Sequence, residues 1–138
     1  MTTVQEQSAS QSQKQRRLKI GVVGIGVGAS EILPAMESMP QLELVAGADI
    51  NKRVLETFQA RYRARIYDSI EKLCEDPDVE AVWISTPNKF HAHHTVIAAE
   101  RGKHVVVEKP MAVSLKEAEA MIEATENAVR KLAPNSAP

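Results

Sequence analysis

Gly24-Ile25-Gly26-Val27-Gly28-Ala29 follows an apolar run at 18–23 and opens an apolar-periodic stretch. In the spacing G-x-G-x-x-A, between a strand and a helix, these residues suit a phosphate cradle. Gly24 lets the chain turn sharply. Gly26 has no Cβ, so a pyrophosphate can approach the backbone, and Ala29 is small enough for the helix to pack close to the strand. Free N–H groups and the dipole at the helix start then face the phosphates. The other register, beginning at Gly26, puts Glu31 in the third small position and fails. Glycines also mark ordinary turns, so the pattern needs a second feature. Residues 42–49 supply it: an apolar run ends in Asp49, about 20 positions beyond Ala29, where a dinucleotide site places its acid.

The elements that must position these groups alternate. Strands are expected at 18–24, 42–49, 65–67, 81–85 and 104–107. Helices are expected at 29–39, at 52–62 behind an Asn51 cap, at 69–75 and at 89–101, stopping at Gly102. Asp68-Ser-Ile-Glu71 reads as a cap for the third helix. Pro34 is tolerable only near the first turn of its helix. Trp83 reads as core. A last helix opens with the capping box Ser114-Leu-Lys-Glu117 and carries the stripe Leu115, Ala118, Ile122, Thr125, Val129 and Leu132. The fold class is therefore α/β: a doubly wound parallel sheet of about five strands, with right-handed crossovers. Ligands bind such sheets beyond the carboxyl ends of the strands. The glycine loop, Asp49, Ser85–Asn88 and Glu108–Pro110 all fall there.

Composition narrows the function classes. The chain has 138 residues and a formal net charge of −1, so no basic footprint argues for nucleic acid. No apolar run approaches membrane-spanning length. The lone Cys74 forms no internal disulfide, reads as a packed helix residue, and fits a reducing, cytoplasmic setting. The polar residues 1–17 lack the apolar stretch of a secretory signal and read as a disordered tail. His91, His93 and His94 have no completing Cys or acidic pair, so no metal site is expected.

Three segments together resemble one family. Gly24-x-Gly26-x-x-Ala29, Thr86-Pro87-Asn88-x-x-His91 and Glu108-Lys109-Pro110 are similar to the Gfo/Idh/MocA family of NAD(P)-dependent oxidoreductases. The resemblance covers 18–126, the dinucleotide-binding half. It implies hydride transfer with sugars, inositols, other polyols or cyclic diols. Asp49 would accept hydrogen bonds from ribose hydroxyls and repel a 2′-phosphate. NAD is thus expected, with NADP possible because Lys52 and Arg53 lie just beyond. Asp49 as a plain helix cap is the alternative. By resemblance, Thr86, Pro87, Asn88 and His91 contact the cofactor on its nicotinamide side. Lys109, between Glu108 and Pro110, contacts the substrate and takes part in proton transfer, with Pro110 fixing the backbone behind it through a cis peptide.

The resemblance also implies a second α/β domain that completes the substrate site, and nothing in these residues forms one. The expectation is one dinucleotide-binding domain at 18–133, with a disordered C-terminus at 134–138. It would be a truncated half, inactive alone, taking a small-molecule substrate only when a second domain is supplied. A non-catalytic dinucleotide-binding module is the alternative function. An S-adenosylmethionine methyltransferase also uses a glycine loop and an acid after its second strand, but the Thr-Pro-Asn and Glu-Lys-Pro segments count against it. An uncovered fifth strand would leave a valine-rich edge open to self-association.

Overall fold

Strand β1 (Leu18–Val23) lies in the middle of the sheet, its last four residues buried. The computed structural model describes residues 16–132. After β1 come α1 (Ala29–Ser38), β2 (Leu42–Ala48), α2 (Lys52–Tyr62), β3 (Arg65–Tyr67), α3 (Ile70–Glu75) and β4 (Ala81–Ile84). A single 3-10 turn, Asn88–Phe90, then leads into α4 (His91–Glu100), β5 (His104–Val107) and α5 (Leu115–Leu132). The strand order is β3-β2-β1-β4-β5, and every pair is parallel. The order reverses between β1 and β4, so the connections leaving these two strands diverge and open a crevice beyond their carboxyl ends.

Two apolar clusters hold the helices to the sheet. On one face Leu33 and Met36 of α1 and Phe58 of α2 pack on Ile20 and Val22. On the other, Ile70 and Leu73 of α3 and Ala98 of α4 pack on Val45, Val82 and Ile84. Each large side chain so buried contributes about 1.5–3 kcal/mol. The caps follow the sequence: Asn51 accepts from the Arg53 and Val54 N–H groups, and Gly102 takes the left-handed conformation past α4 (φ 75°).

Several expectations are corrected. Pro34 lies in the sixth position of α1, beyond the first turn. It is tolerated because it stands on the exposed face, and the residue whose carbonyl loses its donor, Ser30, is exposed too. Ser69, not Asp68, caps α3, accepting the Lys72 N–H at 3.2 Å. Asp68 pairs instead with the Lys72 ammonium at 2.9 Å. In the box before α5, Ser114 accepts the Glu117 N–H, and Glu117 reaches the Val113 N–H rather than that of Ser114. Trp83 is half-buried, with its indole N–H directed at Glu108.

The largest correction concerns α5. Its inward face is Met121, 2 % exposed, with half-buried Ala118, Ala124, Thr125 and Ala128. Leu115, Ile122 and Val129 of the expected stripe stand about a quarter-turn away, with Ile122 51 % and Val129 64 % exposed. The helix packs chiefly on α4, whose small Ala92, Ala98 and Ala99 admit close approach. The Leu132 side chain lies outside the described residues, as do 1–15 of the expected tail and 133–138. Within that tail the Arg17 guanidinium donates to the Leu42 carbonyl.

At the opposite end of the sheet from the crevice, charges cross-link the strand starts. Asp76 accepts from the Arg65 Nε (2.7 Å), the Tyr67 hydroxyl (2.7 Å) and the Asp78 N–H (2.9 Å). Burial would raise its carboxyl, but the Tyr67 and Arg65 hydrogen bonds outweigh it and hold Asp76 below the usual carboxylate range.

Candidate dinucleotide site

The turn out of β1 is possible only with glycine at 24. Its φ is +86°, and a Cβ there would stand 2.7 Å from the Thr86 backbone nitrogen. Gly24 is therefore wedged against the chain leaving β4. Gly26 is the opposite case: nothing lies within 4 Å of where its Cβ would be. That open space above the first turn of α1 is where a phosphate can approach the backbone, although the Ala29 and Ser30 N–H groups there donate to the Gly26 and Val27 carbonyls at 3.2 Å. Ala29 is fully buried under the helix start. Val27 points to solvent and Ile25 packs on the α1–α2 side of the sheet.

Asp49 is tied to this loop. Its Oδ2 accepts the Ile25 N–H at 2.8 Å and its Oδ1 accepts the Asn51 N–H at 2.8 Å. It does not cap α2; Asn51 does that. Each carboxylate oxygen keeps a further lone pair. The acid thus braces the glycine loop while remaining on the wall of a cavity.

That cavity, of about 450 Å³, extends from Gly24 and Gly26 past Asp49 and Ile50 to Asp68–Glu71, and across to Ser85–Pro87, Phe90 and His94. Among the described residues, its wall carries three carboxylates, Asp49, Asp68 and Glu71, and no Lys or Arg. Phe90 and His94 stack with ring centroids 5.6 Å apart and planes 21° apart, making a flat aromatic side. Burial, then the neighbouring His93, pulls the His94 pKa below its ordinary value. The neutral ring can accept the Thr86 hydroxyl at Nδ1, 2.9 Å away.

Of the residues singled out in the sequence, Gly24, Gly26, Asp49, Thr86 and Pro87 come together around this cavity. Arg53 stands exposed in the first turn of α2, off the cavity wall, where its N–H binds the Asn51 cap. Asn88 opens the exposed 3-10 turn. His91 is buried behind that turn, with both ring nitrogens on backbone carbonyls. Cys74 is buried too, its thiol pushed up to about 11 chiefly by that burial.

Glu108, Lys109 and Pro110 lie beyond β5. The Glu108 Oε1 accepts the Trp83 indole N–H at 3.3 Å, and its Oε2 stands 3.4 Å from where a Gly28 Cβ would be. The tighter neighbour of that Cβ would be the Ser85 hydroxyl oxygen at 3.1 Å, so Glu108 stands beside the glycine loop at ordinary contact distance. The Lys109–Pro110 peptide is cis, and Lys109 is exposed beyond the end of β5, off the cavity wall. Sequence reasoning missed Ile50, Asp68, Ser69, Ile70, Glu71, Phe90 and His94 as cavity residues. Their types are ordinary for turns and helix starts; only the distance of β3 and α4 from the glycine loop in space could reveal them.

Known proteins share this arrangement. The chain is 46% identical over 87 residues to a 1-carboxy-3-chloro-3,4-dihydroxycyclohexa-1,5-diene dehydrogenase of Comamonas testosteroni, covering 62% of this chain and 22% of that protein. It is 35% identical over 103 residues to an uncharacterised oxidoreductase of Rhizobium meliloti, covering 74% of this chain and 31% of that protein. The WlbA dehydrogenase from Bordetella pertussis, solved in complex with NADH and UDP-GlcNAcA, superposes with a TM-score of 0.79 at 29% identity, covering 83% of this chain and 33% of that one. A 3-ketoreductase from Actinomadura kijaniata, solved with NADP and TDP-benzene, superposes with a TM-score of 0.78 at 29% identity, covering 82% and 35%. The chain thus spans between a fifth and just over a third of the length of these relatives. Residues 18–136 match the model of the oxidoreductase family with an NAD-binding Rossmann fold, and the chain belongs to that family, Gfo/Idh/MocA, by its dinucleotide-binding domain.

Proposed function

We propose that this domain is the cofactor-binding half of an oxidoreductase that moves a hydride between NAD and a polyol, sugar or cyclic diol. The observation that carries the cofactor preference is the cavity wall: three carboxylates and no Lys or Arg beside the glycine loop. A 2′-phosphate there would meet the charges of Asp49 and Glu71, with the nearby Lys72 ammonium already paired to Asp68, whereas ribose hydroxyls would meet acceptors. The Gly26 cradle and the flat Phe90–His94 wall fit a pyrophosphate and a planar ring. When bound, the nicotinamide supplies the hydride acceptor or donor. Gly24 and Gly26 keep the loop open for the phosphates, and Asp49 holds that loop while receiving the ribose. Glu108 ties the β5 end to Trp83 of β4, and Lys109, next to it, exchanges a proton with the substrate oxygen. The substrate class rests on the activities of relatives, among them a dihydroxycyclohexadiene dehydrogenase and a 1,5-anhydro-D-fructose reductase of Ensifer adhaerens.

The test is a fluorescence titration of the 138-residue chain with NADH and NADPH. Tighter binding of NADH is expected. Equal or tighter binding of NADPH overturns the preference, and binding of neither overturns the cofactor role. The same chain alone is expected to leave polyols unoxidised with saturating NAD, since Lys109 stands exposed and off the cavity wall, and orientation supplies about 7–11 kcal/mol of such a barrier.

A further inference from the structure

His91 is 1 % exposed, yet neither of its ring nitrogens lacks a partner. Nε2 lies 2.7 Å from the Thr86 carbonyl oxygen and Nδ1 lies 2.8 Å from the Pro110 carbonyl oxygen. A carbonyl oxygen only accepts, and a neutral imidazole carries a proton on one nitrogen only. The neutral ring would therefore press a lone pair against one of the two carbonyls. We propose that His91 is a doubly protonated imidazolium that acts as a positioning residue, donating at once to Thr86 and Pro110 and so tying the chain after β4 to the chain after β5.

The proposal rests on the cofactor reading above only for its consequence. The two segments it joins are those that carry the nicotinamide-side loop and Lys109. Two effects oppose the charge: burial, and the position of His91 at the start of α4, where the helix dipole disfavours a cation. Two short charge-assisted hydrogen bonds stand against them. The surroundings add little further positive charge. His94, one turn on, is held towards its neutral form, and His93 is exposed. Glu108 and Lys109 precede Pro110, and Glu71 on α3 acts on His94. The inward face of α5 presents Met121 and alanines, with half-buried Glu117 one turn before Met121.

The experiment is a long-range proton–nitrogen correlation spectrum of the full chain with labelled histidine, without cofactor, at pH 7.5. His91→Gln assigns the signals. Two protonated nitrogens at His91 are expected. One protonated and one bare nitrogen overturns the charge. The tie is read from two hydrogen-bonded amides: Phe90, on the Pro87 carbonyl, and Glu108, on the Ile84 carbonyl. In His91→Gln a single carboxamide cannot span both carbonyls, so both amides should exchange about tenfold faster while the β1–β2 amides do not change. Acceleration at neither amide, or at one alone, overturns the tie. If the variant does not fold, the wild-type spectrum alone decides whether both donors are present. Neither readout needs NADH, so failure of the cofactor reading leaves the result intact.

Discussion

The Asp49 carboxylate accepts the Ile25 N–H at 2.8 Å, so the acid at the end of β2 and the glycine loop at the end of β1 form one unit. The residue proposed to meet the ribose also holds the turn proposed to receive the phosphates. Asp49→Ala should therefore weaken NADH binding by about 1.5–3 kcal/mol, the scale of a hydrogen bond to a charged group. The gap between NADH and NADPH should narrow at the same time, because a repulsive charge disappears with the acceptor. Calorimetry with both cofactors checks this, and NADH binding that stays as tight would remove the ribose role.

Gly24 and Gly26 should separate folding from binding. Gly24→Ala forces a Cβ to within 2.7 Å of the Thr86 nitrogen in a left-handed conformation, a strain of about 1–3 kcal/mol before the clash is counted. It should lower the melting temperature. Gly26→Val meets open space, so the melt should change little while NADH binding is lost. Thermal melts paired with titrations read both effects. A Gly26→Val variant that melts normally and still binds NADH would reduce the loop to a simple turn.

Asp76 should make stability depend on acid. Its folded carboxyl is held below the unfolded value of about 3.9, so the folded state binds its proton less readily than the unfolded chain does. The stabilisation is complete above that unfolded value and is lost as pH falls through the folded one. Asp76→Asn should cost about 1.5–3 kcal/mol at pH 7, where the charged hydrogen bonds are intact, and progressively less below pH 4. Urea melts across pH 2–7 would show the two curves converging towards acid; parallel curves would contradict the assignment.

The β5 edge should attract a second copy. Val106 is 41 % exposed on a strand paired, among the described residues, only with β4, and Ile122 and Val129 add apolar surface on α5. Unpaired edges of this kind template strand addition. Light scattering should show mass rising with concentration, and Val106→Lys should suppress the rise. A monodisperse monomer at every concentration would show that the edge is protected.

The alternation of strands and helices was legible in the sequence because buried parallel strands must be apolar throughout and helices must start and stop at caps. Asn51, Gly102 and the run 81–84 announce themselves in this way. The glycine loop and Asp49 were legible for a related reason: a phosphate cradle demands residue types that few other structures demand. The rest depended on which surfaces meet. Helix α5 carries two candidate apolar stripes, and its own periodicity cannot choose between them. The choice fell to Met121 and the alanines because α4 offers small residues that let the two helices approach closely. Asp68, Glu71, Phe90 and His94 join one cavity wall only because the sheet order brings the ends of β3 and β4 to the same crevice. His91 reads in sequence as the last residue of the Thr86-Pro87-Asn88-x-x-His91 pattern, a cofactor contact by resemblance. That both of its nitrogens face carbonyls follows only from the fold, which carries Thr86 and Pro110 to opposite sides of one ring.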